Sequence, residues 1–138
     1  MATNLKKTTK TYTYAIGRRK CAVAAIKLFK GKGEMTVNKS AIDKYFPLSS
    51  DKIIYERPLV VTNTLGKYYY EARANGGGKH GQLEAVTLAV ARALKRVNDK
   101  FGPILRTNGL LTVDSRIRER RMVGTGGKSR RMKQSPRR

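Results

Sequence analysis

The sequence has no tryptophan, one cysteine, one histidine and only nine acidic residues among its 138. Each shortage removes a class of function. The lone thiol, Cys21, has no partner for an internal disulfide and no companions for a zinc site, so it reads as a small buried residue of a reducing compartment. The acids show no metal-ligand spacing, which leaves metal-dependent nuclease chemistry without support, and no metal or other cofactor is expected. His80 lacks a clear orienting partner, because a pairing with Glu84 one turn on is ordinary helix surface; no enzyme is expected on that basis. No apolar run approaches the roughly 18 residues of a membrane-spanning helix. Met1 to Thr11 carries Lys6, Lys7 and Lys10 with no apolar stretch after them, unlike a secretory signal, and is poor in Arg and Ser for a transit peptide.

Positive charge is what the chain has in excess. Lys and Arg total 31, for a formal net charge of +22 and a pI near 10.7. A compact body so charged repels itself unless a polyanion neutralises it, so nucleic acid is the first partner to consider. The charge is also unevenly placed. Nine cations precede the first acid, Glu34; residues 34–113 carry 12 cations against seven acids; ten cations follow, opposed only by Asp114 and Glu119. With 39% hydrophobic residues, one modest core can form. Three parts are expected: a basic flexible N-terminus over 1–10, an RNA-binding body over 11–113, and a basic tail over 114–138. The tail has too few apolar residues to offset its ordering entropy and is expected to be disordered without RNA.

Within the body, Tyr12, Tyr14 and Ile16 alternate with Thr11, Thr13 and Ala15 in a half-buried strand, with the tyrosines expected in the core. Ala22 to Phe29 forms a second strand with Ala24, Ile26 and Leu28 on one face. Gly31-Lys32-Gly33 turns into a short third, Glu34 to Val37. Ser40 is placed to cap a short helix that Pro47 halts, and Ser50 and Asp51 start another that ends before Pro58. Lys67 to Ala74 alternates cleanly as a strand, with Tyr68 and Tyr70 inward and Tyr69 outward beside Lys67 and Arg73. From His80 to Asn98, Leu83, Val86, Val90, Leu94 and Val97 make the stripe of an amphipathic helix, and Ala85, Ala89 and Ala93 permit close packing. A shorter helix runs from Pro103 to Asn108, with Gly109 beyond its end. The predicted class is α+β, a single domain with helices on one side of a mainly antiparallel sheet, plus the tail.

Two motifs bear on nucleic acid. In Gly17-Arg18-Arg19-Lys20, three cations project from the connection between two strands, and Gly17 allows close backbone approach. In Gly76-Gly77-Gly78-Lys79-His80-Gly81, glycines open the long helix and expose its first N–H groups to a phosphate, although the spacing is neither a Walker motif nor a dinucleotide fingerprint. The body would thus present Arg18, Arg19, Lys20 and Lys79 to phosphates.

Several segments, in order, resemble one family. Tyr14-Ala15-Ile16-Gly17-Arg18-Arg19-Lys20-Cys21-Ala22, residues 31–38 (GKGEMTVN) and Tyr45-Phe46 look like the opening of the small-subunit ribosomal protein S-nine family, bacterial type. Gly76-Gly77-Gly78 with Gly81-Gln82, then Ala91-Arg92-Ala93-Leu94, resembles its glycine turn and long helix. Gly109-Leu110-Leu111-Thr112 with Asp114, Arg116, Glu119 and Arg120 resembles the start of its tail. The resemblance implies a structural, non-enzymatic protein of the bacterial cytoplasmic ribosome. It implies a fold like the second domain of the fifth small-subunit protein, with a left-handed β-α-β crossover. The implied partners are ribosomal RNA of the subunit head, its neighbouring ribosomal proteins and the anticodon stem-loop of P-site transfer RNA, with no membrane contact and no homo-oligomer. Arg116, Arg118, Arg120, Arg121, Lys128, Arg130, Arg131 and Lys133 would then meet ribosomal RNA, and Arg137 and Arg138 transfer RNA. The chain ends Gln134-Ser135-Pro136-Arg137-Arg138 where the family commonly ends Gln-Phe-Ser-Lys-Arg, and has Thr112-Val113-Asp114 for the usual Thr-Arg-Asp. Two rival readings rest on charge alone: a general DNA-binding protein, and an RNA-processing enzyme using His80.

Overall fold

The computed structural model describes residues 11–121 and Val123. Its elements run β1 (Tyr12–Arg19), β2 (Ala22–Lys30), β3 (Thr36–Val37), β4 (Ser40–Ala41), α1 (Ile42–Tyr45), α2 (Ser49–Val61), β5 (Tyr68–Asn75), α3 (Lys79–Val97) and α4 (Phe101–Thr107). The strands form one mixed sheet in the order β1-β2-β5-β3-β4, antiparallel throughout except where β3 runs parallel to β5. Helix α3 lies across β1 and β2, α2 packs on α3, and α4 closes against both helices. The class is α+β, with helices on one face of the sheet.

The buried rows of the sheet follow the register. Ala15 pairs with Ile26, Ile26 with Ala72 and Ala72 with Val37, giving one row under the helices. The next row is Gly17, Ala24 and Ala74. These residues are small because α3 comes very close. A Cβ on Gly17 would fall onto the Ala85 carbonyl oxygen and lie 2.7 Å from the Ala89 nitrogen. The helix answers with Ala85, Ala89 and Ala93, all fully buried.

This contact reverses the reading of β1. Its helix-facing residues are Ala15 and Gly17, while Tyr12, Tyr14 and Ile16 are exposed on the other face. Bulky side chains cannot fit beneath a helix that touches the strand backbone, so the larger residues of the alternation turn outward. Gly17, Arg18 and Arg19 are correspondingly part of β1 rather than of a connection, and Gly17 meets a helix rather than a phosphate. Cys21 is exposed, not buried, because it sits in the two-residue turn that joins β1 to β2. Tyr70 does fill the core, and Tyr68 packs partly against it.

Helix α2 also runs through Pro58 instead of stopping before it. Proline removes the donor to the carbonyl four residues back, that of Ile54. The Thr87 hydroxyl on α3 lies 3.4 Å from that carbonyl but gives its one proton to the Leu83 carbonyl at 2.9 Å, so it is the burial of Tyr55, Pro58 and Leu59 that carries the helix through the proline. The expected short helix is present as α1, but Ser40 does not cap it: Ser40 and Ala41 pair with β3 across a turn whose Asn38 and Lys39 both have positive φ, 50° and 67°. Helix α4 begins at Phe101, and its end matches expectation: Gly109 (φ 70°) donates to the Arg106 carbonyl and Leu110 to that of Leu105.

The α3 contact yields a direct test. Gly17→Ala places a methyl group where backbone atoms of α3 stand, a kind of overpacking that costs about 1–3 kcal/mol or more. The urea midpoint should fall with little change in slope. An unchanged midpoint would contradict the backbone contact.

Candidate nucleic-acid interface

The two basic motifs meet at one end of the molecule. Gly76 and Gly77, with φ of 73° and 60°, curl the chain from β5 into α3 against the β1–β2 turn. A Cβ on Gly76 would stand 2.6 Å from the Cys21 carbonyl oxygen, so the glycine loop and the basic turn touch. Lys20 occupies that turn with a left-handed φ of 52° and is exposed. Arg18 is exposed at the end of β1, and Lys79 opens α3 with its ammonium 5.8 Å from the centre of the Tyr45 ring.

Side chains brace the glycine loop. Gln82 donates to the Gly76 carbonyl at 3.0 Å and accepts from the Tyr45 hydroxyl at 2.6 Å. Asn38 exchanges two bonds with the Ala74 backbone, at 2.9 and 3.0 Å, and lies 3.3 Å from the Tyr45 hydroxyl. The first turn of α3 is therefore fixed in direction with no side-chain cap on its N–H groups. That leaves these donors aimed beside Lys20 and Lys79, an arrangement suited to a phosphate.

Arg19 has a different part. Its side chain is only 13% exposed and its Nε donates to Glu84 Oε2 at 2.5 Å. Its Nη2 lies 3.1 Å from Asp114 Oδ2, and its Nη1 donates to the Arg116 carbonyl at 2.9 Å. One guanidinium therefore ties the end of β1 to α3 and to the chain that leaves the body. Arg116 folds back on the same Asp114, with Nη2 to Oδ2 at 2.7 Å. Hydrogen bonds from the Arg116 side chain and backbone, with the nearby Arg19 charge, hold the Asp114 carboxyl well below the usual carboxylate range. His80 is 75% exposed and 3.6 Å from the free oxygen of Glu84, at the margin of this cluster.

Of the residues singled out from sequence, Arg18, Lys20, Lys79, Arg118, Arg120 and Arg121 are exposed and Arg116 is exposed but bound to Asp114, whereas Arg19 is engaged inside the fold. Lys128, Arg130, Arg131, Lys133, Arg137 and Arg138 lie outside the described residues. The reading of Glu84 as an ordinary partner of His80 missed its bond to Arg19, because nothing in sequence spacing links residues 19, 84 and 114. Tyr69 is not an open stacking surface: it stacks on Phe29 at 5.1 Å between ring centres, and Gly33 packs on its ring. Among the described residues no group of three or more His, Cys, Asp or Glu side chains could hold a metal ion, and no helix is long and apolar enough to cross a membrane.

The Arg19 cluster makes two predictions. Arg19→Ala should lower hydrogen-exchange protection over 110–116 more than in the sheet, and equal loss everywhere would show a general defect instead. The Asp114 carboxyl should titrate well below the ordinary value near ~3.9 and return toward it in Arg116→Ala. Because the folded value is lowered, the stabilisation is fully present above the ordinary carboxylate value and fades as pH falls toward the folded one. Stability should therefore not respond to Asp114 between neutral pH and about pH 5. A titration midpoint at the ordinary value would contradict the cluster.

The profile of the family described as ribosomal protein S9/S16 matches residues 17–138. The chain is 42% identical over 118 residues to the small ribosomal subunit protein uS9 of Maridesulfovibrio salexigens, covering 86% of this chain and 91% of that one. It is 43% identical over 110 residues to the uS9 of Amoebophilus asiaticus, covering 80% and 86%. With the uS9 of Porphyromonas gingivalis the identity is 43% over 113 residues, covering 82% and 88%. The family named from the motif order is thus the family found by comparison, and this chain belongs to the ribosomal protein S9 family, of bacterial type.

Proposed function

We propose that this chain binds ribosomal RNA of the small-subunit head through the basic end of its body and through its C-terminal segment. A structural, non-enzymatic role in the cytoplasmic ribosome follows from the family. The observation that carries the RNA reading is the convergence at one end of the molecule. There the β1–β2 turn with Lys20, the start of α3 with Lys79, and the departing chain at Asp114 and Arg116 come together around Arg19, and the exposed Arg118, Arg120 and Arg121 follow along that chain. Arg18, Lys20, Lys79 and the cations of the departing chain are the phosphate contacts in this reading, and Arg19 positions them. Charge neutralisation supplies affinity and the fixed body supplies register.

The chain from Asp114 onward leaves the body at the Arg19 cluster as a basic arm, with Lys128, Arg130, Arg131 and Lys133 on ribosomal RNA. Arg137 and Arg138 reach the anticodon stem-loop of P-site transfer RNA. The body contacts neighbouring proteins of the head and has no need of a second copy of itself. The β3–α1–α2–β5 crossover is left-handed, as in the second domain of the fifth small-subunit protein.

Two measurements test these roles. Affinity for a head-domain transcript of small-subunit ribosomal RNA should exceed that for duplex DNA of equal length, and should fall steeply with salt. Equal affinity for both would favour a general DNA-binding protein. A chain lacking Arg137 and Arg138 should assemble into subunits and hold P-site transfer RNA more weakly. A block in assembly would contradict the division between anchoring body and reaching arm.

A further inference from the structure

A second basic surface lies away from the Arg19 cluster, where the edge strand β1 meets the C-terminal half of α3. Arg92 and Arg96, one turn apart on the helix, reach across to the strand. The Arg92 Nη1 donates to the Ile16 carbonyl at 2.7 Å, and the Arg96 Nη1 donates to the Tyr14 carbonyl. These two carbonyls point away from β2, and in an antiparallel pair the N–H of a residue points the same way as its C=O. The Tyr14 and Ile16 amides therefore face the same edge. Between strand and helix runs an open groove of about 390 Å³, lined by Tyr14, Ile16, Arg92, Lys95, Arg96 and Asp99.

Three cations face one acid in that groove. Each guanidinium carries five N–H donors, and the strap to β1 uses one of them. The strap also fixes both planes, so the remaining donors are held in place before a ligand arrives. Tyr14 borders the groove at the strand edge, with its ring on the sheet face away from α3, and is 44% exposed. It is the aromatic ring on this side that remains available: Tyr12 has the Lys27 ammonium 4.8 Å above it, and Tyr69 lies between Phe29 and Gly33. A protein partner would need more apolar surface than Tyr14 and Ile16 provide. Fixed cations along a groove with an exposed ring at its border match the chemistry of unpaired RNA, whose phosphates pair with guanidinium and ammonium groups and whose bases stack on aromatic faces.

We propose that this groove is a second RNA-binding site, which holds a single-stranded or looped-out segment by its phosphates on Arg92, Lys95 and Arg96 and by one base on Tyr14. It rests on the reading of the chain as a ribosomal RNA-binding protein and adds a surface that motif spacing did not reveal. The site lies on the β1 edge, opposite to the β3–β4 edge of the sheet.

The test uses the full chain and a head-domain transcript of small-subunit ribosomal RNA across a potassium chloride series. In the triple variant Arg92→Gln, Lys95→Gln, Arg96→Gln the charges are gone together with the straps, which the shorter amides do not span. Lys95→Gln alone breaks no strap and should shrink the log–log salt slope by about 0.7. In the triple variant the slope should shrink by about 2, from three lost single-strand contacts at roughly 0.7 each. A control, Lys39→Gln with Lys44→Gln and Lys52→Gln, removes the same charge from the β3–β4 turn, α1 and α2. It should change the slope by less than half as much. Tyr14→Leu keeps an apolar side chain on the strand and should weaken binding roughly tenfold at every salt concentration without changing the slope. If the triple variant behaves as the control does, or Tyr14→Leu binds as the parent does, the groove is not an RNA site. If the triple variant keeps its RNA affinity but no longer enters subunits, the groove meets a protein, which also overturns the proposal. A parent chain that prefers the transcript no more than duplex DNA would instead overturn the broader reading of function.

Discussion

Contact between the backbone of α3 and the backbone of β1 is the constraint on which the rest of the structure depends. Gly17 leaves room for it, and Ala15, Ala24, Ala85, Ala89 and Ala93 keep the surrounding layer thin. At ordinary helix-to-sheet spacing the long side chains of α3 would not reach the strand backbone. At this spacing Glu84 meets Arg19 near one end of the helix, and Arg92 and Arg96 meet the β1 carbonyls towards the other. The same straps occupy the outer carbonyls of an edge strand, which would otherwise invite pairing with another chain.

Charge in this protein therefore does two kinds of work. A few cations hold the fold together: Arg19 joins three segments, and Arg92 and Arg96 tie a helix to a strand. Others, such as Arg18, Lys20, Lys79, Arg118, Arg120 and Arg121, are exposed and available to a polyanion. Local sequence does not separate the two kinds. Arg18 and Arg19 are neighbours in one tetrapeptide, yet strand alternation sends one outward and the other into the Arg19–Glu84–Asp114 cluster. The acids are few, and two of them, Glu84 and Asp114, are used to fix where the chain leaves the body.

Much of this was legible in sequence because it rests on local periodicity. The long helix, the alternation of β2 and β5 and the glycine end of α4 all appear within a residue or two of their predicted places. The family was legible from the order of its motifs. What failed depended on distant partners. The face of β1 was inverted because Tyr12, Tyr14 and Ile16 look like a core row until the closeness of α3 is known. Pro58 looks like a stop until the packing of α2 on α3 is known, and Cys21 looks buried until the turn places it outside. The Arg92–Arg96 groove carried no local signal, since two arginines one turn apart look like any solvated helix face.

The central claim is that this protein is an integral part of the small subunit, held by a preformed basic surface. The most direct measurement is sedimentation of a lysate containing an N-terminally tagged chain through a sucrose gradient at high salt, where loosely held cations are stripped. The account predicts that the chain travels with the small subunit and with the intact ribosome. Recovery only at the top of the gradient would contradict it.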